Sequence, residues 1–225
     1  MKIPFQIYPS ITGYDNIEWQ NKLKEIDQFK LKEVAVFLGS FDQKERDHLY
    51  KFLIKSSIEK VPFVHLRHDT DKHDIEFFVK NYDTKYFNIH EDGFGMIDRW
   101  KPYLDRLYLE MNYDDQVDRD VKVRKIGGFC IDLSHFKASI ARGAKEAEYI
   151  FNRKDKIKFS CNHLNGYDPV NKKDKHSITD LKDFDYLITL PKFVFGEVIA
   201  IEVFNSIKEQ LKFKKYLEKI LDKIF

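Results

Sequence analysis

Five residues able to hold a cation or move a proton, His90, Glu110, Asp132, His163 and Glu202, fall at or near the ends of short β-branched or aromatic runs. Those runs are Tyr86–His90, Leu107–Met111, Gly128–Leu133, Ile157–His163 and Val198–Phe204. Imidazole nitrogens and carboxylate oxygens are the donors that zinc, manganese and magnesium accept. Gathered on one face they would repel one another, and a divalent cation supplies the missing counter-charge. Further candidates lie just beyond strand ends: His135 three residues after Asp132, Asp174 and His176 spaced i and i+2, and His68 after the run Val61–Leu66. Six of the eight histidines, His65, His68, His90, His135, His163 and His176, can serve that one face. The register of the third run sends either His65 or His68 inward, and the strand-end position selects His68. A lone strand-end His or Glu is more often a hydrogen-bonded surface group, so the joint placement carries the metal reading. His48 and His73 read as solvated surface. The acidic run Asp69, Asp71, Asp74 reads as a solvated loop, because it lacks the glycine and terminal glutamate of a calcium loop.

The elements that must position these side chains alternate along the whole chain. Ile3–Ile7, Val34–Leu38 and Val61–Leu66 precede the five runs above, making eight strand candidates. Amphipathic segments lie between them, including Asp42–Ser56, Ser134–Phe151, Asp180–Leu190 and Ser206–Ile224, the last with Phe213, Leu217, Ile220, Leu221 and Ile224 on one face. Eight β→α units without a break predict an α/β fold, a single (β/α)8 TIM barrel with short loops, as one domain over 1–225. In such a barrel the C-terminal strand ends converge on one face, where barrel enzymes keep their active sites.

Alternation supports the register. Tyr86, Asn88 and His90 share one face of their run, Tyr108 and Glu110 of the next, then Gly128, Cys130 and Asp132, and finally Val198, Ala200 and Glu202. The run ending in His163 is an exception, since Ser160 and Asn162 would then face the helices.

A chain of 225 residues, 43% hydrophobic and 15% aromatic, can bury a sizeable core. Its 39 basic and 37 acidic side chains leave a net charge of +2, which gives no global pull toward DNA or an anionic membrane. Met1–Ser10 lacks the apolar stretch of a signal peptide, and no 18 apolar residues run together, so a membrane partner is not expected. Cys130 and Cys161 stand in apolar runs without CxxC spacing, which fits a reduced, cytoplasmic protein.

Glu110, Asp132, His163 and Glu202 in this order resemble the four-ligand metal site of the xylose-isomerase-like superfamily of barrels, and Asp132–His135 reads Asp-Leu-Ser-His as in its strand-six motif. Within that superfamily Phe87-Asn88-Ile89-His90, His163-Leu164-Asn165 and Asp174-Lys175-His176 are similar to segments of family-2 apurinic/apyrimidinic endonucleases, the endonuclease IV type. That resemblance implies three zinc ions: one on His68, His90 and Glu110, a second on Glu110, Asp132, His163 and Glu202, and a third on His135, Asp174 and His176. Gly166 stands where that family continues with Asp, and Glu91, Asp92 and Gly93 where a Pro-Gly usually follows.

The function expected is a metal-dependent phosphoesterase in which a metal-activated hydroxide attacks phosphorus in line. Balanced charge favours a small phosphoester over DNA as partner. Asn88 and Asn165 are placed to orient the imidazoles. The alternative is a sugar or sugar-phosphate isomerase or epimerase, with one Mn2+ or Mg2+ and with Glu110 and Glu202 as the catalytic proton-transfer pair. A third reading is a barrel that binds metal or ligand without catalysis.

Overall fold

The computed structural model describes residues 3–13, 16–112 and 123–225. Of the segment Met1–Ser10, residues 1 and 2 lie outside the described residues.

One strand sequence runs β1 (Gln6–Tyr8), β2 (Ser10–Ile11), α1 (Asn16–Gln28), β3 (Ala35–Phe37), α2 (Gln43–Leu53), β4 (Phe63–His65), α3 (Lys72–Tyr82), β5 (Tyr86–His90), β6 (Leu107–Glu110) and β7 (Gly128–Asp132). It continues with α4 (Leu133–Arg142), α5 (Lys145–Phe151), β8 (Phe159–Leu164), a hairpin of β9 (Gly166–Asp168) and β10 (Lys173–Lys175), β11 (Val198–Ile201) and α6 (Ile207–Leu221). The parallel sheet pairs in the order β1-β11-β8-β7-β6-β5-β4-β3-β2. Its two ends, β1 and β2, are halves of one strand parted at Pro9, so the sheet closes on itself as the expected parallel barrel. Proline has no N–H to offer the ladder, which is why pairing changes partner there: β1 pairs with β11 and β2 with β3.

The seam is sewn by side chains. Gln210 of α6 accepts from Ser10 N at 2.7 Å and donates to Ser10 O at 3.2 Å and Asn205 O at 3.0 Å. Ser10 Oγ donates to Ile201 O, and the buried Lys22 ammonium to Val203 O at 2.8 Å.

Period-2 alternation divides the apolar residues into two cores. Tyr8, Ala35, Phe37, Phe63, Tyr86, Tyr108, Cys130, Cys161, Val198 and Ala200 fill the barrel interior. A larger cluster lies between the strands' outer faces and the helices, with Phe87, Ile89, Leu107, Leu109, Phe129, Ile131, Ile199 and Ile201 among its members. The expected faces of β5, β6, β7 and β11 are therefore the observed ones.

The β8 exception has a physical cause. A register shift beside Cys130 makes Ser160 an extra residue, and Asn162 faces outward yet fully bonded. Asn162 Nδ2 donates to Ile131 O at 3.0 Å and Val194 O at 2.8 Å, and its Oδ1 accepts from Gly196 N at 2.6 Å. Any Cβ at Gly196 would lie 2.3 Å from Ser160 C, so only glycine lets that loop approach.

Other expectations are corrected. The first strand lies at Gln6–Tyr8 and Ser10–Ile11 rather than Ile3–Ile7. Ser134–Phe151 is two helices, because Gly143 takes a left-handed conformation (φ 68°) and caps α4. The segment expected as a helix at Asp180–Leu190 is a 3-10 turn series over Leu181–Thr189. Asp69, Asp71 and Asp74 are not a solvated loop: Asp71 and Asp74 form the capping box of α3, and Asp69 and Asp74 hold the buried Arg46 at 2.9 and 3.2 Å.

Candidate metal centre

Register brings the expected donors side by side. His90 is level with Glu110 across β5 and β6, and Asp132 with His163 across β7 and β8. Glu202 follows β11, its N–H held by Leu164 O at 2.9 Å. The site therefore caps the apolar interior: Cys130 and Cys161, neighbours across β7 and β8, lie one inward position below Asp132 and His163.

His163 is the centre of the cluster. Its Nδ1 lies 3.2 Å from both Glu110 Oε2 and Glu202 Oε2, and its Nε2 lies 3.2 Å from Asn88 Oδ1. Asn88 Nδ2 in turn donates to Glu110 Oε2 at 2.7 Å. Asn88 thus fixes both a carboxylate and an imidazole, as expected of it. Asn165 does something else: it donates to Asp132 Oδ2 at 2.8 Å and orients no ring among the described contacts.

Asp132 shows why Asp-Leu-Ser-His is spaced as it is. It is the N-cap of α4, and its Oδ1 accepts from Ser134 N, Ser134 Oγ and His135 N at 2.8, 2.8 and 2.9 Å. Its Oδ2 is left to face the site. His135, three residues on, comes back over the same face, 3.8 Å from Asp132 Oδ2 and from Glu110 Oε1. Its Nε2 is 3.7 Å from Asp174 Oδ1, and Asp174 Oδ2 is 2.8 Å from His176 Nε2. The segment expected as a loop around Asp174 is the β9–β10 hairpin, with His176 beside Glu202 O at 3.2 Å. Gly166, the departure noted above, opens that hairpin, and a Cβ there would meet Ile178 Cδ1 at 2.5 Å.

One donor is corrected. Phe63 faces the interior, so alternation turns His65 inward as well, and β4 ends there. The His65 ring lies 4.9 Å from those of His90 and His163, whereas His68 is exposed on the following loop. Asn112 was not singled out from sequence. Its Nδ2 lies 3.2 Å from His90 Nδ1, and only its place two residues beyond Glu110 hinted at it.

Three overlapping groups of donor atoms result, each with its atoms within 4.8 Å of one another: His65, Glu110 and His163; Glu110, Asp132 and His135; Asp132, His163 and Glu202. Electrostatics show what such crowding costs. Burial raises Glu110, but His163, His90 and His65 outweigh it and hold its carboxyl well below the usual range. Burial likewise raises Glu202, which His163 and His176 bring down to about 2. Burial, joined by Glu110 and Glu202, raises Asp132 against the pull of His135. Burial lowers His135 and His176, yet the carboxylates around them lift each to about 9. His163 is raised well above its ordinary value by Glu110, Cys130 and Glu202 despite its burial, while burial pushes His65 down to about 3. Protons on imidazoles thus stand in for cations.

The donors fit a divalent metal. His65 Nδ1 and Asn165 Oδ1 are buried without a hydrogen-bond partner among the described residues, and an unpaired buried polar atom is costly. The set is imidazole and carboxylate with no thiolate, since burial raises the Cys130 thiol well above its normal value. A cavity of about 270 Å³ opens over His65, His90 and Glu202, walled by Gly39, Arg67, His68, Asp92 and Trp100 among others. A larger one of about 630 Å³, lined by Arg124, Arg153 and Lys156, adjoins residues that precede β7 and β8. Among the described residues its lining holds no imidazole or carboxylate.

No family model matches the chain, and no curated protein matches it. Three chains among solved structures do. One, described as the crystal structure of SacUVDE, is 14% identical with a TM-score of 0.44, over 96% of this chain and 99% of its own. At that identity and score the likeness carries no argument about function. No helix among the described residues is long and apolar enough to cross a membrane.

Proposed function

We propose that this chain is a metal-dependent phosphoesterase, a single barrel domain over 1–225 that hydrolyses a phosphodiester or phosphomonoester. The observation that carries it is the sharing of Glu110, Asp132 and His163 among three donor groups, the arrangement a multinuclear site needs. Zinc suits this donor set, in up to three positions, the third on His135, Asp174 and His176. Divalent cations held there would activate water near neutral pH and offset charge on the phosphate and its leaving oxygen.

The chain's own residues supply the rest. Glu110 presents Oε2 toward His163 and Oε1 toward His135, so one carboxylate spans two positions. Asn88 accepts the Nε2 proton of His163 and leaves Nδ1 facing the two glutamates. His65, neutral because it is buried, needs to lose no proton before it binds. Two buried free cysteines support a reduced, cytoplasmic setting. DNA is one substrate to test beside small phosphoesters.

Elemental analysis of purified protein, followed by hydrolysis of bis(p-nitrophenyl) phosphate and abasic DNA, tests this. The proposal expects two or three zinc ions per chain and hydrolysis lost on chelation. One manganese or magnesium per chain, with sugar isomerisation that survives His176→Ala, would hand the site to the isomerase reading, in which Glu110 and Glu202 move the proton. Metal without turnover of either substrate class would leave a binding barrel.

A further inference from the structure

The cavity over the donor cluster is lined by an arginine that no donor group uses. Arg67 and His68 follow β4 directly, and both line the same space as His65, His90 and Glu202. An arginine keeps its charge at any working pH and presents a planar fork that matches two phosphate oxygens. The Arg67 side chain is 26% exposed, and only its Nε is engaged, 3.5 Å from Asp69 Oδ1. That carboxylate is itself held at 2.9 Å by Arg46, which is fully buried and also bound to Asp74, Phe41 O and Gln43. The ion-pair chain Arg46–Asp69–Arg67 therefore tethers the guanidinium at Nε and leaves Nη1 and Nη2 without a hydrogen bond to any described residue. The His68 carbonyl accepts from Arg99 Nη1 at 3.1 Å, which steadies the backbone of the same loop. Gly39, which lines the same cavity, contributes no side chain, and a Cβ there would meet nothing within 4 Å. Trp100, fully buried and bonded to Thr70 Oγ1 at 3.3 Å, lines it as well.

We propose that Arg67, with His68 beside it, is the anion-recognition wall of this cavity, and that the ligand it receives is a small phosphate ester entering between Arg67 and Gly39. This rests on the phosphoesterase reading and deepens it. The volume, about 270 Å³, suits a phosphoryl group with a small organic part, or one nucleotide turned out of a strand, and not a base-paired duplex. Asp92 also lines the cavity, and its charge disfavours a second anionic group beside the phosphate.

The test is calorimetric titration of inorganic phosphate into the metal-loaded protein, wild type against Arg67→Ala, Arg67→Lys and Gly39→Phe, with metal content measured on each. Arg67→Ala should weaken phosphate binding by about tenfold or more with metal content unchanged. Arg67→Lys should recover part of that loss, since it restores the charge but not the fork, and Gly39→Phe should abolish binding by filling the cavity. Phosphate binding equal to wild type in Arg67→Ala, or none in the wild type, would overturn the proposal. Normal hydrolysis of bis(p-nitrophenyl) phosphate by Arg67→Ala with unaltered KM would do so too, and would leave the phosphoesterase reading standing. A wild type that binds phosphate through Arg67 but hydrolyses no ester would remove that reading instead.

Discussion

Two regions of this barrel bury polar groups, and they do it in opposite ways. At the seam, where Pro9 breaks the closing strand, Gln210 uses three hydrogen bonds, and Ser10 and Lys22 cover the nearby carbonyls Ile201 O and Val203 O. At the donor cluster Glu110, Asp132 and Glu202 converge, imidazoles are driven to hold extra protons, and His65 Nδ1 and Asn165 Oδ1 find no partner. The inner part of the cluster, Glu110, Asp132 and His163, is buried as deeply as the seam, so depth does not distinguish them; Glu202, His135, Asp174 and His176 are partly exposed. The seam is satisfied within the protein; the cluster gathers groups that could hold a metal.

Substitutions should separate the two. The largest effect is expected from Glu110→Gln, which removes the shared carboxylate: hydrolysis should fall about 10³-fold or more, with helix content by circular dichroism unchanged. Retained activity would mean the cluster does no chemistry.

Next, metal affinity should fall steeply with acidification. His135 and His176 bind protons up to about pH 9, and a cation must displace those protons. Raising the pH toward 9 therefore strengthens binding, by about a decade per pH unit per displaced proton, and the gain levels off above that. Calorimetry in buffers of different ionisation heats counts the protons released; a count of zero at pH 7 would contradict the site.

At the seam the expected loss is of stability alone. Gln210→Leu strands Ser10 N and Ser10 O and should cost about 2–4 kcal/mol in urea unfolding, while turnover per folded molecule stays that of wild type. Equal damage to activity would mean the two regions are one.

The smallest effect concerns Lys22. Burial lowers its pKa to about 7, against the coulombic pull of Glu18, Glu25 and Glu209, whereas the unfolded chain holds that proton to a much higher pH. The unfolded state thus binds more protons above pH 7, and this residue's contribution to stability grows as pH rises from there. The thermal midpoint of wild type minus that of Lys22→Met should therefore increase between pH 7 and 9 and stay flat below 7.

How much of this was legible in the sequence depended on which rule governed each residue. Period-2 alternation in Tyr86–His90, Leu107–Glu110 and Gly128–Asp132 told inside from outside, because a strand buried on both faces leaves no freedom for slippage. The same parity, carried from Phe63, brings His65 into the cluster, whereas counting from the end of the apolar run points to His68 on the exposed loop. The first run, Ile3–Ile7, falls too early, because the strand continues past Pro9, which interrupts its pairing. The Asp71–Asp74 pair was missed as a helix start because its partner at the third position is Asp rather than Glu or Gln. Asn162 was opaque, since its partners Ile131 O, Val194 O and Gly196 N lie on other segments. Arg67 gave no signal either; its meaning comes from a cavity, and cavities have no period.

The divided use of Asp132 has a consequence for tuning. Three donors at the start of α4 draw on Oδ1, and each withdraws electron density from the carboxylate whose other oxygen, Oδ2, faces the site. Ser134 contributes two of them and belongs to none of the donor groups, yet it fixes the carboxylate that does. The opening turn of that helix thereby holds one carboxylate oxygen by three donors and leaves the other toward the cluster, so a change at Ser134 would reach the site without altering any member of the donor groups.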